Sequence, residues 1–389
     1  MKANSIGSFF KKYTMILALV AVAIFFSITT KGKILFPQNI NNLISQNGYV
    51  FVLAAGMLMC ILTGGNIDLS VGSVVCFTGA IGAVMMQGGA NMWLSVLVML
   101  VVGLLIGAFQ GFWIAWVRVP PFIATLAGMY AFRGFSNVVL QGYTVAVSNE
   151  QFLNVFGGGA NCYVPDFLGK GGALNMTCMI VGIIAVALYV LLTLRRIGVQ
   201  KKMGITHSVT TDIASTAVIC VVVLWLFWKL ASHKGIPTVL IWIALVLLVY
   251  NYISSRTSIG RHLYAVGGNE KATALSGVNT RFVYFFAYAN IGMLAGLAGI
   301  LNLARMTNAQ PTYGQGYEMD AIASCFIGGA SAYGGTGKIS GVIIGATLMG
   351  LINQGMSIMG IDANYQSVVK GIVLLLAVMF DVLSKKQKR

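Results

Sequence analysis

Apolar runs long enough to cross a bilayer recur along this chain from Thr14 to Phe380. About twenty helical residues span the roughly 30 Å of hydrocarbon in a membrane. Inside lipid the backbone has to satisfy its own polar groups, which leaves only helices or closed barrels. A barrel needs segments of about ten residues that alternate apolar and polar. Here the runs are continuously apolar and rich in Leu, Ala, Val and Gly, and 9% of the 389 residues are charged, against roughly 25% in a soluble domain. The sequence therefore predicts an all-α fold: a polytopic transmembrane helical bundle of about 10 to 12 spans, some broken or re-entrant, in a single transmembrane domain over residues 1–389.

The runs lie near Thr14 to Thr30, Gly48 to Thr63, Val71 to Gln87, Met92 to Val117, Phe122 to Leu140, Met176 to Leu194, Asp212 to Ala231, Ile236 to Ile253, Phe282 to Leu303, Asp320 to Tyr333, Ile339 to Met359 and Asn364 to Leu383. The first is flanked by Lys11, Lys12, Lys31 and Lys33 with no small-residue cleavage site after it, and reads as a retained helix.

A net charge of +16 invites a nucleic-acid reading, but excess Lys and Arg in cytoplasmic loops is what orients membrane proteins. With both termini in the cytoplasm, the spans place Lys2, Lys11, Lys12, Arg118, Arg195, Arg196, Lys201, Lys202, Arg256, Arg261, Lys271, Arg281, Lys338, Lys385, Lys386, Lys388 and Arg389 there. Lys31, Lys33, Lys170, Lys234 and Arg305 fall outside, and Arg133, Lys229 and Lys370 lie within or at the edges of spans. No nucleic-acid partner is implied.

Cys60, Cys76, Cys162, Cys178, Cys220 and Cys325 have no CxxC spacing, and His207, His233 and His262 lack ligand partners at metal spacing. The stretch GGTGKIS has no first Gly at phosphate-loop distance and carries Ile339 where a Ser or Thr is needed. No catalytic site, metal site or nucleotide site is read in this chain.

Residues 141–175 form a long Gly- and Asn-rich external stretch with Glu150 and Asp166, large enough to receive a partner. Residues 195–252 carry the basic cluster RRIGVQKKMGITHS, read as a loop, and two further spans. In the cytoplasmic loop 254–281, Asn269 to Ser276 reads as a short helix after a Gly267-Gly268 hinge, closed by Gly277 as a C-terminal cap. Such a helix has little to bury by itself, and docking into a groove of another protein is the role it fits.

Gly clusters at Gly64 to Ser73 and at Ile327 to Gly345, which share a plan of apolar helix, Gly-Gly break, polar residues and Gly-spaced helix. The pair reads as a weak internal repeat with both breaks towards the cytoplasm, and broken helices point to a transport pathway. Gly64, Gly65, Asn66, Asp68, Ser70 and Arg133 are the candidate helix-break or translocation residues. Asp68 and Arg133 are ionisable groups within spans, expensive there and open to pairing with each other. Asn290, Asn302, Asn353 and Gln354 are among many groups able to pair with sugar hydroxyls, and composition does not choose among them.

Four motifs carry a resemblance: TGGNIDLSVGS from Thr63, TLAGMYAFRG from Thr125, GRHLYAVGGNEKATALSGVN from Gly260, and GYEMDAIASCFIGGASAYGGTGKISGVIIG from Gly316. Together they resemble the branched-chain amino acid and monosaccharide permeases of ATP-binding-cassette importers, with the longer xylose and multiple-sugar types closest. The resemblance implies a permease homodimer in the cytoplasmic membrane, a cytoplasmic ATPase that binds ATP and Mg, a periplasmic sugar-binding protein and a monosaccharide substrate. It implies no cofactor in this chain. The ATPase-coupling loop would be Gly260, Gly267, Gly268, Asn269, Glu270, Ala272, Ala274 and Gly277, with Lys271 and Thr273 departing from the family's alanine spacing. Competing readings are an ion-coupled secondary transporter using Asp68, Glu318 or Asp320, and a permease for an amino acid or nucleoside.

Overall fold

The computed structural model describes residues 3–169, 174–203 and 209–386. Lys2, Lys170, His207, Lys388 and Arg389 lie outside them. The described chain is helical nearly throughout: α1 (Ala3–Thr29), α2 (Pro37–Gln46), α3 (Gly48–Leu62), α4 (Val71–Gln87), α5 (Met92–Phe112), α6 (Pro121–Leu140), α7 (Glu150–Phe156), α8 (Met176–Lys202), α9 (Val209–Ala231), α10 (Thr238–Arg256), α11 (Ser258–Gly268), α12 (Glu270–Leu275), α13 (Thr280–Met306), α14 (Tyr317–Ile327), α15 (Ile339–Ile358) and α16 (Ala363–Lys386). Among the described residues, seven helices are long and apolar enough to cross a membrane, or eight if α2 and α3, bent by 42°, count as one broken span. Thr14–Thr29, Val71–Gln87 and Ser215–Ala231 are shorter apolar helices. The run Asp320 to Tyr333 does not form a full-length spanning helix. Its helix, α14, has 11 residues, a rise of about 16 Å.

The basic cluster from Arg195 is also corrected, because α8 continues through Lys202. Arg, Gln and Lys are good helix formers, and cations suit the negative end of a helix dipole.

The tightest helix pair is α5 on α13. Glycines recur every fourth residue: Gly103 faces Gly292 and Gly296, Gly107 faces Tyr288 and Gly292, and Gly111 faces Phe285 and Tyr288. A Cβ on Gly107 would lie 2.3 Å from the Tyr288 carbonyl oxygen, and one on Gly103 2.5 Å from that of Gly292. Lipid supplies no hydrophobic drive between helices, so close backbone packing through small residues takes its place.

Helix α13 packs on α4 and α5, while α3 packs on α14 and α15; α6 leans on α4, and α16 on α14. Thus α3–α6 and α13–α16 are two copies of one arrangement. Tyr49 at the start of α3 stacks on Tyr317, whose hydroxyl reaches Asn302 near the end of α13, whereas Gly56, further along α3, lies against Ile291 and Leu294, so α3 and α13 run antiparallel and the repeat is inverted. The counterpart of the 63–70 break is therefore 307–316, and the repeat read between Gly64–Ser73 and Ile327–Gly345 is corrected. Those two stretches are pressed against each other: a Cβ on Gly65 would lie 1.9 Å from the Ala332 carbonyl oxygen, and one on Gly334 2.4 Å from Gly64 Cα. Their shared glycines serve one contact between them rather than a repeated fold.

The two breaks bring the N-terminal turns of α4 and α14 together, where a Cβ on Gly72 would lie 2.1 Å from the Gly314 carbonyl oxygen and 2.5 Å from Glu318 Oε2. At the other end of α13, β1 (Val145–Ala146) pairs antiparallel with β2 (Asn308–Ala309), ahead of α7.

Candidate functional site: the helix break and the docking helices

Helix α11 starts at Thr257, whose hydroxyl accepts the Gly260 N–H at 3.2 Å, and α12 starts at Asn269, whose Oδ1 accepts the Ala272 N–H at 3.0 Å. Each side chain satisfies an orphan donor of a first helical turn. Gly277, at φ 84°, ends α12 in the left-handed conformation that glycine adopts freely. Gly267 and Gly268 are the last residues of α11 rather than a hinge. The bend falls on Asn269, in extended backbone at φ −163°. Glycine at 267 serves contact, since a Cβ there would lie 1.8 Å from the Leu62 carbonyl oxygen. Thr273 turns inward, and Lys271, Ala272, Ala274 and Leu275 form the outer face of α12, with Leu275 90% exposed.

The Glu270 carboxylate joins three elements. Its Oε1 pairs with Arg118 at 2.8 Å and accepts the Thr280 hydroxyl at 3.4 Å, and its Oε2 accepts the Tyr284 hydroxyl at 3.0 Å. Arg118 sits at φ 66° in the corner between α5 and α6, after a π-turn over Trp113–Val117. Burial alone would raise the Glu270 carboxyl, but the hydrogen bonds from Arg118 and Tyr284 and the Arg118 charge outweigh it and hold it below its ordinary value.

Behind α11 lies the break. The Gly335 N–H donates to the Leu62 carbonyl at 3.1 Å, closing the end of α3, and the Tyr264 hydroxyl donates to the Gly337 carbonyl at 2.7 Å. Gly64 and Gly65, at φ 130° and 77°, turn the chain back along α3. Asn66 Nδ2 donates to the Thr63 hydroxyl at 3.1 Å. Asp68, fully buried, accepts the Ser70 N–H at 2.8 Å and hydroxyl at 2.7 Å. The structure thus joins three of the four motifs read in the sequence.

The fourth, on α6, meets the other break. Arg133 Nη1 donates to the carbonyls of Pro311, at 3.0 Å, and Tyr313, holding the 307–316 segment. No Asp68–Arg133 ion pair forms; the two are spent on different backbone segments. Gln110, which the sequence reading missed, links α5 to the break through Ser70, donating to its hydroxyl at 2.8 Å. It also lines a cavity of about 300 Å³ between α5 and α6, with Phe109, Trp113, Ile123 and Phe132. Arg118, Tyr264 and Tyr284 were missed as well; their partners lie far along the chain, and no local pattern marks them.

Residues 39–378 match the branched-chain amino acid transport system / permease component family. The chain belongs to this family. It is 34% identical over 382 residues to the xylose transport system permease protein XylH of Escherichia coli (strain K12), covering 96% of this chain and 92% of that protein. It is 36% identical over 382 residues to the corresponding protein of Haemophilus influenzae, covering 96% and 97%. The ribose import permease protein RbsC of Escherichia coli (strain K12) is 34% identical over 375 residues, covering 96% and 94%. No solved structure matches.

In this family member the Arg118–Glu270 pair is more than a third exposed on both sides, so it contributes no more than about 1 kcal/mol. Arg118→Gln is expected to speed hydrogen exchange in α12 up to roughly fivefold at pH 7. Because the Glu270 carboxyl is held low, the wild-type pair is complete above the usual carboxylate range and is lost only as pH falls through the lowered value. Protection of α12, corrected for intrinsic exchange, is therefore expected to be equal at pH 7 and pH 5.

Proposed function

We propose that this chain is the membrane-spanning permease subunit of an ATP-driven importer of a monosaccharide of the xylose, galactose, glucose or arabinose class. The observation that carries the reading is the seat of α11 and α12. They stand at the helix break, bound to it through Gly267 and Tyr264, and to α5 and α13 through Glu270, while their outer face is left free. A partner that pushes on that face moves the break and the α5–α13 pair together. Lys271, Ala272, Ala274 and Leu275 are its contact face for a cytoplasmic ATPase, which would bind ATP and Mg. The chain itself carries out no hydrolysis.

The protein works as a homodimer in the cytoplasmic membrane, with its termini and α12 inside and the 141–175 stretch outside, where a loaded periplasmic sugar-binding protein docks. The excess of Lys and Arg on one side supports this orientation. Gly64, Gly65, Asn66, Asp68, Ser70 and Arg133 shape the path as its frame, because their polar groups are engaged with neighbouring chain. The α5–α6 cavity is the space next to that frame, reached through Gln110.

The test is ATP hydrolysis and xylose uptake in proteoliposomes holding the chain, its candidate ATPase and a candidate sugar-binding protein. Hydrolysis stimulated at least tenfold by the loaded binding protein, and lost in Glu270→Ala while the complex still assembles, is the expected outcome. Uptake that follows a proton or sodium gradient without ATP would replace this reading with an ion-coupled one. Stimulation by an amino acid or nucleoside instead of a sugar would move the substrate.

A further inference from the structure

Helix α16 is held in an unusual way. None of its described side chains is fully buried, and it packs chiefly on α14. Its half-buried positions form a single stripe, Gln366, Val369, Lys370, Val373, Leu374, Ala377, Val378, Asp381 and Val382. Successive members lie three or four residues apart or side by side, which keeps them on one face of a helix. Two polar ties stand on that stripe. Lys370 Nζ lies 3.0 Å from Asp320 Oδ2 of α14, and Asp381 Oδ2 accepts the Ala332 N–H at 3.0 Å. The two residues are 11 positions apart in sequence, which puts them about 16 Å apart along the helix, within roughly 20° of the same face.

The second tie lands on a particular place. Ala332 belongs to the 328–338 turn, the same turn that receives the Tyr264 hydroxyl of α11 at Gly337 and presses Gly335 on Gly267 and Gly268. The Ala332 carbonyl in turn lies against Gly65 of the break. The N–H face of this residue therefore holds α16, and its carbonyl face holds the break.

Resting on the importer reading above, we infer that α16 is a lever worked by the docking helices. A push on α11 and α12 enters α16 at Asp381 through the 328–338 turn. The helix pivots about the Lys370–Asp320 tie, and the movement appears at its opposite end, around Tyr365, which is 70% exposed. Asp381 and Ala332 are positioning groups: they touch neither sugar nor nucleotide. The inference adds a second route for the ATPase stroke, separate from the one that runs through Glu270 into α5 and α13.

The experiment measures xylose taken up per ATP hydrolysed in proteoliposomes containing the permease chain, its candidate ATPase and the loaded binding protein. Asp381→Ala is expected to assemble and to hydrolyse ATP within about twofold of wild type, while xylose per ATP falls at least tenfold. Asp381→Asn, which keeps an oxygen acceptor for the Ala332 N–H, is expected to recover more than half of the wild-type ratio. If Asp381→Ala does not assemble, Asp381→Ser, too short to reach that N–H, carries the same expectation. A ratio unchanged in Asp381→Ala, or reduced equally in Asp381→Asn, overturns the lever. Failure of the importer reading looks different, because the wild-type complex itself would then show no ATP-dependent uptake of xylose, galactose, glucose or arabinose.

Discussion

Lys370→Met is expected to be among the most destabilising single substitutions in this protein, at about 3–5 kcal/mol. Asp320 is fully buried, and its Oδ2 collects three donors: the Tyr49 hydroxyl at 2.6 Å, Lys370 Nζ at 3.0 Å and Asn353 Nδ2 at 3.5 Å. The Tyr49 ring stacks on Tyr317 at 3.6 Å, and the Tyr317 hydroxyl donates to Asn302. Removing the ammonium leaves a carboxylate in the apolar interior with two neutral donors and no counter-charge, which is the costly way to break a buried pair. Removing both charges is far milder, so Asp320→Asn/Lys370→Met is expected to recover most of the loss. Thermal melting in detergent checks the pair, with a fall of roughly 10 °C for the single change. A single variant melting with wild type would mean that water reaches Asp320 and that α16 is tied elsewhere.

How far the sequence revealed this site depends on the range of each interaction. The short helix α12 is legible from Asn269 and Gly277, because caps and stops act within a few residues of themselves. The α5–α13 pair went unread, although its glycines every fourth residue are a local spacing that states a distant contact without naming the partner. The Lys370–Asp320 tie could not be read: its members are 50 positions apart, and a lysine in an apolar run says only that some partner exists. The Asp68–Arg133 pairing failed for the same reason, since opposite charges in spans do not say which backbone segments already hold them. The repeat was misread because two glycine-rich breaks look alike whether they are copies of one fold or the two sides of one contact. Only the antiparallel course of α3 and α13 separates those cases.

The contact between the breaks yields the other large effect. Gly65→Ala is expected to cost about 2–5 kcal/mol, the sum of forcing a side chain into the left-handed region and overpacking a closed contact. Gly65 sits at φ 77°, and its Cβ would lie 1.9 Å from the Ala332 carbonyl oxygen, a backbone atom with no rotamer by which to retreat. The 328–338 turn would have to move as a unit, carrying the Gly335 N–H off the Leu62 carbonyl and the Gly337 carbonyl off Tyr264. The seat of α11 would then be lost along with the break. The control is Gly134→Ala in α6, where nothing lies within 4 Å of the new Cβ and the change is expected to stay within about 1 kcal/mol. Melting in detergent separates the two substitutions. Binding-protein-stimulated ATP hydrolysis, measured below the melting point of both, is expected to survive in the control and to disappear in Gly65→Ala. Normal stimulation in a Gly65→Ala chain that melts early would mean that the break supports the fold without transmitting the stroke, leaving Glu270 and α13 as the only route.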